Sequence, residues 1–136
     1  MVARATEISE SLTTTVKTVL AGGGAAVLGM PAKFGTSDTT WTQCGVDTET
    51  YAGPFAGAAA EGATVGVHRS GLAKHVVGTG GATRGKFGIV VADGYTDAPA
   101  HDSDGTGNER IVCQFEESGD AGDLVGALII HSQQGS

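Results

Sequence analysis

The chain has 136 residues, with 15 acidic and 8 basic side chains and a formal net charge of −7. That balance repels phosphate backbones and anionic lipid headgroups, which excludes nucleic acid and membrane surfaces as natural partners. Hydrophobic residues make up 40% of the chain but aromatic ones only 5%, and 23 residues are glycine, so one domain with a thin aliphatic core is expected.

Residues 1–12 hold Arg4, Glu7 and Glu10 without a clean period and read as an irregular N-terminal arm; residues 13–136 read as a single β domain. Thr13 to Leu20 is rich in β-branched residues and alternates as a strand does. Gly22 to Gly24 makes a turn, and Ala25 to Met30 a short return strand that Pro31 stops. Thr39 to Cys44 is a further strand carrying Trp41, the sole tryptophan. Pro54 to Gly62 is alanine-rich and is the one stretch with the composition for a helical turn or two.

From Gly53 to Gly94 short apolar runs alternate with glycine-bearing turns. The runs are Ala63 to Val67, Leu72 to Val77 and Phe87 to Ala92, too short for packed helices, so they predict strands joined by hairpins. Val65, Val67 and Arg69 share one strand face, and Arg69-Ser70-Gly71 makes a hairpin turn. A loop of unusual length is expected from Gly94 to Asn108. Two strands close the chain: Arg110 to Phe115, with Ile111, Cys113 and Phe115 inward, and Leu124 to Ile130, apolar on both faces as a doubly covered strand would be. Short strands with turn signals about every ten residues predict an all-β fold, a small β-sandwich or jelly-roll-like barrel.

Four features invite chemistry, and each has a plainer reading. Gly80 to Phe87 fits the phosphate-cradling G-x-x-x-x-G-K-[ST] loop until Phe87 replaces the magnesium-binding hydroxyl. That loop must also open a helix, whereas Ile89-Val90-Val91 predicts a strand. Asp97 to Glu109 gathers carboxylates suited to calcium, but lacks the third oxygen ligand and final glutamate of a calcium loop. His68, His75, His101 and His131 are dispersed, although His68 and His75 would face each other across a Ser70 hairpin. Cys44 and Cys113 are too few for a disulfide framework and read as half-buried free thiols. No catalytic residues, metal site or cofactor emerge, and the chain is read as no enzyme.

Three segments resemble one family: Ala56 to Val67, Gly71-Leu72-Ala73-Lys74, and Gly85 to Gly94 with its Val90-Val91-Ala92-Asp93-Gly94 ending. Together with Gly119-Asp120-Ala121-Gly122-Asp123-Leu124-Val125, they resemble the small head decoration, or cement, proteins of tailed bacteriophages. The resemblance implies a structural protein made in the host cytoplasm that clamps the outer surface of the virion shell by binding major capsid protein. It also implies a homo-oligomer, a dimer or trimer, without cofactor. The candidate contact residues are Ile8 and Leu12 in the arm, with Trp41 and Tyr51, although Trp41 has a second reading as a core anchor. Unpaired strand edges are expected to extend the sheets of neighbours. The alternative function is a non-catalytic ligand- or carbohydrate-binding sandwich, which needs a row of exposed aromatics.

Overall fold

A computed structural model of the chain describes residues 14–19, 24–45, 50–98 and 110–131. Among them are ten strands and no helix. They are β1 (Thr14–Val19), β2 (Pro31–Phe34), β3 (Thr40–Gln43), β4 (Tyr51–Pro54), β5 (Thr64–His68), β6 (Leu72–Val76), β7 (Phe87–Val91), β8 (Gly94–Asp97), β9 (Cys113–Phe115) and β10 (Leu124–Ile129). The first sheet runs β4-β2-β3-β1-β5 and the second β6-β10-β9-β7-β8. All pairs are antiparallel except β1 with β3. The all-β sandwich expected from the sequence is the observed fold.

Each sheet also closes on itself. At one end of the first sheet, Phe55 bridges to Val67 and the Ala56 amide donates to the Gly66 carbonyl at 2.8 Å, so the outer strands β4 and β5 meet. The Arg69 guanidinium donates to the Ala52 carbonyl at 2.8 Å and covers more of the β4 edge. In the second sheet Val77 bridges to Tyr95, and the Gly78 amide donates to the Tyr95 carbonyl at 2.7 Å, joining the end of β6 to β8. The Val76 amide of β6 donates to the Gly29 carbonyl at 3.0 Å, and the Asp97 amide of β8 to the Gly81 carbonyl at 3.0 Å.

One glycine sits at each closure. Gly53 in β4 and Gly94 in β8 both have φ near +145°, a region that side chains rarely enter. A Cβ on Gly53 would overlap the His68 carbonyl oxygen of β5, and one on Gly94 the Val76 carbonyl oxygen of β6. Backbone therefore meets backbone at both seams, and only hydrogen fits between.

Two apolar clusters fill the structure. Ala26, Ala32, Trp41, Ala52, Phe55, Val65 and Val67 pack inside the curl of the first sheet. Val77, Val90, Tyr95, Val112, Cys113, Phe115, Val125 and Ala127 line the second sheet and meet Cys44 and Tyr51 from the first. Across this junction the Tyr51 and Tyr95 hydroxyls, both buried, are hydrogen-bonded at 2.7 Å with their rings edge to face. Burial disfavours both phenolates, so both hydroxyls titrate well above the ordinary tyrosine range.

Several expectations are corrected. Pro31 opens β2 rather than stopping a strand, because the first position of a strand tolerates a residue without an N–H. Ala25 to Met30 is no strand: Ala26 bridges to Ala59, while Gly29 and Met30 exchange backbone hydrogen bonds with Phe55. Pro54 to Gly62 holds no helical turn; its two ends are tied to neighbouring backbone instead. Arg69-Ser70-Gly71 is a corner between sheets and not a hairpin, since β5 pairs with β1 while β6 pairs with β10. The stretch expected as loop from Gly94 starts instead as strand, because Gly94–Asp97 is β8 paired with β7. Inward positions before β9 include Val112, whereas Ile111 is only partly covered. Cys44 and Cys113 are not joined in a disulfide, and both are fully buried rather than half-buried. The arm, 1–12, lies outside the described residues.

Two predictions follow from the seams and the junction. Gly53→Ala and Gly94→Ala are each expected to destabilise by about 3 kcal/mol or more, as strain at a special φ combines with overlap of backbone atoms. Gly57→Ala, with open space around its Cα and no positive φ, serves as the control and shifts the urea midpoint little. Tyr51→Phe and Tyr95→Phe each leave one buried hydroxyl unpaired or absent and are expected to cost about 1–3 kcal/mol. The double variant should cost less than the sum, which a double-mutant cycle on unfolding free energies measures.

Candidate interaction surface

Among the described residues, exposed aliphatic side chains gather on the solvent face of the second sheet. Alternation along β6 buries Ala73 and His75 and turns Leu72, Lys74 and Val76 outward. Along β10 it buries Val125, Ala127 and Ile129 and exposes Leu124, Gly126 and Leu128. The strand thus has two unlike faces despite its apolar composition: Leu124 is 44% exposed and Leu128 40%. Expectation and structure part here because β10, although flanked by β6 and β9, is covered on one side only.

Register converts these positions into rows. Leu72, Leu128, Gln114 and Phe87 stand in line across four strands, and Phe87 is 48% exposed. Val76 and Leu124 form a second row. The turn that carries exposed Val27 and Leu28 abuts that row, where a Cβ on Gly29 would lie 2.7 Å from Leu124 Cδ2 and 3.2 Å from Val76 Cγ2. Between the rows, the Gly126 amide donates to Glu117 Oε1 at 2.6 Å, and Lys74 Nζ lies 3.9 Å from the same oxygen. Both charged side chains are more than half exposed, so their pairing contributes little to stability. The face is therefore an apolar band crossed by one solvated ion pair.

The residues singled out from the sequence fall elsewhere. Trp41 is 1% exposed inside the first sheet, with the Phe34 ring tilted against it at 5.4 Å between centroids, and acts as a core anchor. Tyr51 is 7% exposed at the junction between sheets. Neither presents surface to a partner in this conformation. Ile8 and Leu12 lie outside the described residues. The outward positions of Leu72, Phe87, Leu124 and Leu128 are not legible in the sequence, because an apolar residue on a solvent face looks the same there as one in the core.

The other candidates resolve in structural terms. After Gly80 to Lys86 the chain enters strand β7, with the Lys86 amide bonded to the Thr83 carbonyl at 3.0 Å in a turn. Asp97, the first residue of the acidic stretch, accepts from the Thr83 amide at 2.8 Å and the Thr83 hydroxyl at 2.6 Å. Asp93 repeats the arrangement with Thr79, whose hydroxyl at 2.7 Å and amide hold this carboxyl below its usual range. Residues 99–109 lie outside the described residues. His68 in β5 and His75 in β6 belong to different sheets, and His68 Nδ1 pairs with the Thr14 hydroxyl at 3.0 Å. Burial raises the Cys113 thiol to about 12, which leaves it unreactive. Among the described residues no group of three or more His, Cys, Asp or Glu stands where it could hold a metal ion. The aromatic row a carbohydrate-binding face needs is missing among them too: Trp41, Tyr51, Phe55, Tyr95 and Phe115 are buried, and the exposed rings Phe34 and Phe87 are on different sheets.

Neither a protein-family model nor a curated protein sequence matches this chain. Its fold, however, is similar to the solved structure of the N base of head fiber gp8.5 in bacteriophage phi29, with a TM-score of 0.64. The match covers 92% of this chain and 99% of the phage one at 10% sequence identity. The two share a fold across nearly their whole lengths, while their side chains, and so their surfaces, are largely different.

Proposed function

We propose that this chain is a structural virion protein that decorates the outside of a phage capsid and stabilises it by binding major capsid protein subunits. The observation that carries the reading is the near-complete fold match to the base of a phage head fiber, a part that belongs to a phage head. The sequence resemblance to head decoration proteins points the same way. The protein is made in the host cytoplasm, acts at the capsid exterior as a dimer or trimer, and needs neither catalysis nor cofactor.

The contact face is the apolar band of the second sheet, Leu72, Val76, Phe87, Leu124 and Leu128. Covering each half-exposed leucine or phenylalanine contributes on the order of 1 kcal/mol, half or less of the full burial value. One copy binds weakly through so small a band, and linkage of copies in an oligomer multiplies the effect through effective concentration. Stabilisation of the shell follows from mass action: a ligand that binds only the assembled, expanded state shifts the equilibrium toward it.

Co-sedimentation with purified expanded capsids tests both halves of the proposal. The native chain is expected to saturate the shell and to raise its resistance to heat and osmotic shock. Leu124→Lys with Leu128→Lys should leave the urea midpoint within about 0.5 kcal/mol, as surface substitutions do, while weakening capsid binding at least about tenfold. Undecorated and decorated shells of equal resistance would overturn the stabilising role, and unimpaired binding by the double variant would overturn the assigned face.

A further inference from the structure

We propose that His75 is an acid-sensitive latch: its protonation forces the two sheets apart, so the fold itself opens in mild acid. His75 is completely buried on the inner face of β6. Its Nδ1 lies 2.9 Å from the Ala73 carbonyl, which only accepts, so Nδ1 carries the proton of the neutral ring. Nε2 is then an acceptor, and it is buried without a hydrogen-bond partner. A second proton has to go on that atom.

Among the described residues, the groups around the ring offer nothing to balance the charge. Tyr95 of β8 stands over the imidazole with ring centroids 4.5 Å apart. Behind it Tyr51 of β4 is bonded to the Tyr95 hydroxyl. β10 presents Val125 opposite, and the further titratable group acting on the ring is His68 of β5, itself a nascent cation. No carboxylate stands among these groups, and both phenols are held neutral by burial. A cation at Nε2 must be reached by water, and the Tyr51–Tyr95 contact that it lies against is where the sheets are hydrogen-bonded side chain to side chain. Relief of the charge therefore comes from opening the junction.

The sign is fixed by linkage. Burial first of all lowers the folded-state His75 from 6.5 to about 4. Above pH 6.5 both folded and unfolded chains hold a neutral ring and nothing changes. Between 6.5 and about 4 the unfolded chain takes up the proton and the folded chain does not, so the unfolding equilibrium rises about tenfold per pH unit, roughly 300-fold in all. His68, also lowered by partial burial, adds to the same trend and has to be separated. On the decoration reading above, acid sheds the protein from its shell; unfolding of the isolated chain tests the latch whether or not that reading holds.

The experiment follows the urea midpoint of the isolated chain from pH 7.5 to 4, beside His68→Gln, His75→Leu and His75→Gln, with NMR titration of the histidine ring protons in the native chain. The latch predicts a steep loss of stability below pH 6.5 that persists in His68→Gln and flattens in either His75 variant. It also predicts a His75 ring that does not titrate in the folded chain above pH 5. An unchanged slope in the His75 variants, or a folded His75 that titrates near 6.5, overturns it. Should neither His75 variant fold, the NMR titration of the native chain decides alone.

Discussion

Close approach of backbone to backbone at Gly53 and Gly94 is the constraint on which the rest of the architecture depends. Each glycine lets an outer strand turn onto the opposite edge of its own sheet, β4 onto β5 and β8 onto β6. An exposed edge is a row of unpaired amides and carbonyls that any extended chain can join. Here those groups find partners within the chain at both seams, so a neighbour gains little by adding a strand. The expected route of assembly, extension of sheets across subunits, has few open edges to use among the described residues. What is left is sheet face, and the face with exposed aliphatic rows belongs to the second sheet.

The junction between the sheets follows from the same economy of large side chains. With so few aromatics, one hydroxyl pair and a buried imidazole do what several rings do in a fuller core. Tyr51, Tyr95 and His75 meet edge to face from one sheet to the other, with the small residues Val125, Ala127 and Cys113 filling in around the tyrosines. The hydroxyl pair placed this deep specifies which strands meet, because a mispaired junction would leave the Tyr51 and Tyr95 hydroxyls buried without partners. The same choice makes the junction responsive to protons, whereas an all-aliphatic one would be indifferent to pH.

Much of the fold was legible in the sequence where alternation was clean. Val65 and Val67 against Thr64 and Gly66, or Trp41 between Thr40 and Thr42, mark strands by the period of two alone. β4 and β8 were not legible, because Gly53, Pro54, Gly94 and Asp97 carry the signature of turns while serving as strand residues at the seams. Pairing was hidden as well. Arg69-Ser70-Gly71 has the composition of a hairpin, and only the long-range partners β1 and β10 reveal it as a corner between sheets. The exposed aliphatic face was invisible for a physical reason: Leu124 and Val125 are equally apolar, and which one meets solvent depends on a second layer that no local pattern encodes.

The proposed role rests on this chain touching a shell through the aliphatic rows of the second sheet. Hydrogen exchange of the chain, free and bound to expanded capsids, measures that directly. It predicts new protection in Leu72–Val76, Phe87 and Leu124–Leu128, with the seams at Phe55–Val67 and Val77–Tyr95 protected equally in both states. Protection that appears instead along β4 and β8, leaving the aliphatic rows as exchangeable as before, would contradict it.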